Sequence, residues 1–168
     1  LSGKLSMNEL KEVSIFDLLD KNEVELDKQL IKNYLQGKRV LITGAGGGTG
    51  SELVRQCLRF DPALLVILDN NEYSLLKIER EILERGKTVL VKPLLTNIRD
   101  IDILRKVFNE YEPQIVFHAA SYKHVSMQES FPWEAIETNV HGTCNLVKLS
   151  EQYNVEKFVL ISTDKASN

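Results

Sequence analysis

The chain has 168 residues, 43% of them hydrophobic and 27% charged, with a net charge of −3. That length suits one domain around one core, and acids interspersed among the Lys and Arg residues exclude a nucleic-acid surface as a partner. No stretch approaches the roughly 20 apolar residues of a membrane crossing, and Leu1-Ser2-Gly3-Lys4 lacks a signal peptide's apolar core, so the chain reads as soluble and cytosolic.

Residues 1–37 are polar with intermittent apolar positions. Short helices are expected around Ile15-Phe16-Asp17-Leu18-Leu19 and from Asp27 to Leu35, which makes this a helical lead-in or linker packed onto a domain. From residue 38 to 168 short β-branched runs alternate with longer amphipathic stretches. This is the mark of repeating βαβ units and a parallel sheet.

Strands are expected at Arg39–Thr43, Leu64–Leu68, Thr88–Val91, Gln114–His118 and Lys157–Ser162. All read as near-continuous apolar runs, as strands covered on both faces should. Helices are expected at about Thr49–Phe60, Tyr73–Arg85, Asp100–Tyr111 and Pro132–Tyr153, with Pro132 suited to a first helical turn. Cys57 and Cys144 fall in these helices, set no zinc or disulfide spacing, and read as buried free thiols. Right-handed crossovers then give an α/β fold, a doubly wound parallel sheet of Rossmann type in the order 3-2-1-4-5.

The strongest chemical signal lies between the first strand and the first helix, where five glycines fall within Gly44-Ala45-Gly46-Gly47-Gly48-Thr49-Gly50. Glycine lets the backbone approach a pyrophosphate, and helix N-terminal amides favour an anion. The absence of a Lys at the required place disfavours a nucleotide-hydrolysing P-loop. Asp69 ends the second strand about 20 residues after the turn, where an acid accepts hydrogen bonds from an adenosine ribose. Asn70, Asn71 and Glu72 beside it offer no Arg for a 2′-phosphate, which favours NAD while leaving NADP open. The other reading of Asp69 is the N-cap of the following helix.

Ligands of such sheets bind beyond the strand C-termini where strand order reverses, here between strands one and four. Strand four runs into Ala119 and Ala120, small enough for a cofactor to lie against the backbone, and then Ser121-Tyr122-Lys123-His124, where Lys123 offers a positive charge. His118 and His124 read as hydrogen-bonded structural histidines, and two histidines without a third ligand make no metal site. Strand five runs into Ser162-Thr163-Asp164-Lys165. A hydroxyl, an acid and an amine there suit proton transfer, or form a solvated loop with an internal Asp–Lys pair.

Thr43–Gln56 (TGAGGGTGSELVRQ), Leu68–Glu81 (LDNNEYSLLKIERE), Ile115–Ser130 (IVFHAASYKHVSMQES), Asn139–Thr143 (NVHGT) and Lys157–Asn168 (KFVLISTDKASN) come in order. As a set they closely resemble the nucleotide-diphosphate-sugar 4,6-dehydratases of bacterial polysaccharide biosynthesis, in the short-chain dehydrogenase/reductase superfamily. The resemblance implies oxidation at C4 of a UDP-N-acetylhexosamine by bound NAD(P), loss of water across C5 and C6, and return of the hydride to C6. It implies that Thr163 hydrogen-bonds the C4 hydroxyl, Asp164 protonates the departing C6 oxygen and Lys165 takes the C5 proton.

For the cofactor the resemblance implies a set running through Gly44, Gly46, Gly47, Gly48, Thr49, Gly50, Asp69, Asn70, Asn97, Ile98, Ala119, Ala120, Lys123 and Asn139. The chain departs from the family pattern at Gly48 and Thr49, in place of Ser and Ile, and at Asn97, in place of an adenine-facing Asp. A homo-oligomer and an upstream membrane anchor are further implications, and so is a chain that stops before the substrate-binding part and by itself turns over no sugar nucleotide. Two other readings stay open: a sugar-nucleotide 4-epimerase or reductase, and a dinucleotide-binding module without chemistry.

Overall fold

A computed structural model describes residues 27–86 and 89–162. The expected helix around Ile15–Leu19 and the Thr163-Asp164-Lys165 cluster lie outside these residues. The first described element is α1 (Lys28–Leu35), capped by the Asp27 side chain, which accepts from the Leu30 N–H at 2.9 Å. Then follow β1 (Arg39–Thr43), α2 (Gly48–Cys57), a short 3₁₀ turn at Leu58–Phe60, β2 (Leu64–Asp69), α3 (Glu72–Glu84) and β3 (Leu90–Leu95). The second half runs through α4 (Ile101–Tyr111), β4 (Ile115–His118), α5 (Val125–Ser130), α6 (Pro132–Ala135), a π turn (Ile136–Gly142), α7 (Thr143–Gln152) and β5 (Lys157–Leu160).

All pairings are parallel and the strand order is β3-β2-β1-β4-β5, the doubly wound order the apolar runs imply. Strand alternation sorts the core into two layers. Val40, Ile42, Leu65 and Ile67 face Val54, Leu58, Leu75, Ile78 and Ile82 from the α2–α3 side. Leu41, Leu64, Val66, Leu68 and Val116 face Leu104, Val107, Phe108, Leu146 and Leu149 from the α4–α7 side. β1 and β2 at the centre are buried nearly throughout, because helices cover both faces.

Three expectations need correcting. The third strand is Leu90–Leu95, later than the Thr88–Val91 run suggests, with Thr88 outside the described residues, and it is not a continuous apolar strand. It carries Lys92 and Pro93, the latter in register with Ile67. As the outermost strand it has one ladder side free, so a residue without an N–H fits there.

The second correction is α5, which the sequence does not announce. It is short and without a buried residue, so apolar periodicity has nothing to act on. The third concerns the thiols: Cys57 is buried, with burial pushing its pKa up to about 12, whereas Cys144 sits on the outer face of α7 and is exposed.

Candidate functional site

The cleft opens at the C-terminal ends of the strands, where the order reverses between β1 and β4. It encloses about 400 Å³, and its lining includes Gly44, Asp69, Asn97, Ala120, Tyr122 and Thr138. Of the residues expected from sequence, Gly47, Asn70, Ile98 and Ala119 also line it. Lys123, Gly48 and Thr49 are exposed outside that lining, and Gly50 is buried behind it.

The glycine turn leaves β1 through Gly44, whose φ of +67° is the left-handed region that glycine alone visits freely. A Cβ there would also lie 2.6 Å from the Ala120 nitrogen, so the strand-one and strand-four loops meet by backbone contact. At Gly50 a Cβ would stand 1.9 Å from the Gly44 carbonyl oxygen, which makes a side chain impossible without rebuilding the turn. Gly48, by contrast, has nothing within 4 Å of that position.

Helix α2 begins after Gly47 with no side-chain cap. Gly47 donates to the Gly44 carbonyl at 3.0 Å and Ser51 to Gly47 at 2.9 Å. The N–H groups of Gly48, Thr49 and Gly50 precede the first intrahelical donor, so they carry the partial positive charge of an unsatisfied helix start.

Asp69 locks this turn to β2. Its Oδ2 accepts from the Gly46 N–H at 2.8 Å and its Oδ1 from the Asn71 N–H at 2.9 Å. The cap of α3 is Asn71, which accepts from the Ser74 N–H at 2.9 Å, so the alternative reading of Asp69 as that cap does not describe this chain. A carboxylate has about four acceptor positions. Two remain for a ligand after the backbone bonds.

On the β3 side, Asn97 Oδ1 accepts from the Arg99 N–H at 3.0 Å, an Asx turn that directs the segment across the cleft. Its amide NH₂ has no partner among the described residues, and neither does the buried Oγ1 of Thr96. Ile98 lies against Gly142, where a Cβ would come within 2.6 Å of the Ile98 side chain.

His118 is buried beneath the cleft, 1% exposed. Thr143 spends its hydroxyl proton on the Asn139 carbonyl at 2.7 Å, so His118 Nε2–H must be the donor to Thr143 Oγ1 at 2.8 Å. His118 Nδ1 then accepts from the Thr43 hydroxyl at 2.7 Å. Burial pulls the imidazole pKa down to about 4, which matches a neutral ring in this chain of bonds.

Asn139 stands in the π turn and clasps the loop after β4. Its Oδ1 accepts from the Tyr122 N–H and its Nδ2 donates to the Tyr122 carbonyl, both at 2.9 Å. Its amide is therefore committed to protein. Sequence reasoning missed Asn71, Ser74, Thr96 and Thr138 as cleft residues. The Asn71–Ser74 spacing is a legible cap signal; Thr138 stands in the π turn, which the sequence does not announce.

The uncapped helix start, the buried Asp69 latch and the unpartnered amide of Asn97 suit a nucleotide with a diphosphate and a ribose. Fold and cleft together define a class: a Rossmann-type α/β domain with its ligand crevice at the topological switch point. Within that class, the chain belongs to the polysaccharide biosynthesis protein family, which matches residues 40–168.

The capsular polysaccharide biosynthesis protein CapD of Staphylococcus aureus is 42% identical over 169 residues, covering 100% of this chain and 28% of that protein. A UDP-N-acetylglucosamine 4,6-dehydratase (inverting) of Campylobacter jejuni is 30% identical over 133 residues, 79% of this chain and 38% of that protein. The solved structure of a Thermus thermophilus UDP-glucose 4-epimerase in complex with NAD is 32% identical with a TM-score of 0.62, over 74% of this chain and 37% of that one. The chain therefore spans well under half the length of each.

Proposed function

We propose that this chain is the coenzyme-holding part of an NAD-dependent enzyme that dehydrates a UDP-N-acetylhexosamine to its 4-keto-6-deoxy form. The observation that carries the coenzyme half of this reading is the Asp69 carboxylate, bonded to the Gly46 N–H inside the cleft and retaining acceptor positions. The dehydratase half is supported by the similarity to the Campylobacter UDP-N-acetylglucosamine 4,6-dehydratase.

In this reading the amides of Gly48, Thr49 and Gly50 hold the diphosphate, Asp69 with Asn70 takes the ribose, and Asn97 and Ile98 bound the adenine. Ala119 and Ala120 leave room beside the β4 backbone, Lys123 stands ready for an anionic group, and Asn139 keeps the Tyr122 loop in place. The nicotinamide, when bound, supplies a reversible hydride acceptor. Thr163 hydrogen-bonds the sugar hydroxyl at C4, Asp164 gives a proton to the departing C6 oxygen, and Lys165 takes the proton from C5, which an adjacent C4 carbonyl acidifies. The relatives are much longer than the part this chain matches, and in this reading residues 38–168 account for the coenzyme rather than the whole of the sugar site. A homo-oligomer and an upstream membrane anchor belong to the same reading. Among the described residues no helix is long and apolar enough to cross a membrane.

Calorimetric titration with NAD and NADP tests the coenzyme half. NAD binds more tightly than NADP, and Asp69→Ala weakens it about tenfold to a hundredfold, the worth of a charged hydrogen bond. Absence of binding by either coenzyme overturns the reading. Product analysis of the complete protein with UDP-N-acetylglucosamine tests the rest. A 4-keto-6-deoxy product that disappears with Asp164→Asn and Lys165→Met supports dehydration. The Thermus neighbour favours a second reading, 4-epimerisation, in which the product is an isomer and no water leaves.

A further inference from the structure

Arg99 reaches from the β3 end of the cleft to its opposite wall. Its Nε and Nη2 both donate to Thr138 Oγ1, at 2.8 and 2.6 Å. Nη2 also donates to the Glu134 carbonyl at 3.1 Å and pairs with the Glu134 carboxylate. The guanidinium carbon lies 5.9 Å from the centre of the Tyr122 ring, within cation–π reach. Thr138 and Tyr122 both line the cleft, and Asn139 clasps Tyr122 from the same turn that carries Thr138. One cation thus joins the three segments that face one another across the crevice.

The β3 segment keeps its shape without the guanidinium. Besides the Asx turn at Asn97, Asn145 Nδ2 donates to the carbonyls of Ile98 and Arg99 at 3.2 and 3.1 Å. Loss of the Arg99 side chain therefore removes the bonds that hold Thr138 and Glu134 and the cation beside Tyr122, while the Asn97–Ile98 wall stays where it is.

We propose that Arg99 is a positioning residue that sets the span of the crevice between Asn97–Ile98 and Thr138–Tyr122. It governs affinity for a dinucleotide, which crosses that span, and not for a mononucleotide held on the Asp69–Asn97 side. The inference rests on the coenzyme reading above. Lys cannot replace Arg here, because one ammonium does not reproduce two nitrogens donating to one hydroxyl while one of them also pairs with a carboxylate.

The test is calorimetric titration of the complete protein and its Arg99→Met variant with NAD and with AMP. The expected result is NAD binding weakened about tenfold and AMP binding changed less than about twofold, with Arg99→Lys no better than partly restored. Glu134→Gln, a change at a half-exposed position, keeps the Thr138 bonds and is expected to weaken NAD about threefold with AMP unchanged, so it carries the test if Arg99→Met fails to fold. Equal losses for both nucleotides mark Arg99 as merely structural and overturn the inference, as does no loss for either. If the unaltered protein binds NAD and the variants bind it equally well, only the role of Arg99 falls; if the unaltered protein binds neither nucleotide, the coenzyme reading falls and this one with it.

Discussion

At His118 a single ring decides how three segments stay together: it accepts from Thr43 on β1 and donates to Thr143, which in turn holds the Asn139 carbonyl. Such a buried base stores a pH dependence. The unfolded imidazole titrates near 6.5 and the folded one near 4, so between these values the unfolded chain binds the extra proton. Stability from this group is complete above pH about 6.5 and is lost as pH falls toward 4, by up to about 3 kcal/mol. His118→Gln is expected to be less stable at neutral pH, with a deficit against wild type that shrinks on acidification. Urea midpoints of both proteins from pH 7.5 to 4.5 check this; a constant deficit would show that the ring does not titrate as described.

Among the elements, the turn from β1 into α2 separates glycines that look alike in sequence. Gly50 is required by the protein itself, since a Cβ would collide with the Gly44 carbonyl, whereas Gly48 meets only open space at the helix start. Gly50→Ala is expected to cost about 3 kcal/mol or more, and Gly48→Ala to leave stability unchanged or raise it by up to about 1 kcal/mol. Denaturant unfolding of the two variants distinguishes them, and equal destabilisation would contradict this division. Strand β3 makes a related point. Its Pro93 and its exposed Leu95, at 57%, belong to a sheet edge, a position that no local run of residues declares.

The two-layer core sets the stability of the whole molecule. Phe108 is fully buried in the α4–α7 layer and its ring centre stands 5.8 Å from that of Tyr153. Phe108→Ala is expected to lower unfolding free energy by about 3–5 kcal/mol, the cost of lost transfer and a residual cavity. Thermal or urea melts measure it; a loss below about 1 kcal/mol would mean that this layer is dispensable.

Sequence alone determined the parallel sheet, its order, the glycine turn and Asp69 at the end of β2, because apolar runs, helix starts and crossover handedness are local or topological signals. The tertiary structure decided what those signals do not encode. It assigned the cap of α3 to Asn71 and left Asp69 free to latch Gly46. It also brought Thr138 and Tyr122 to one crevice and set Arg99 against both. Contacts between residues 39 apart, as for Arg99 and Thr138, depend on how strands and helices pack in space, and no spacing along the chain records that.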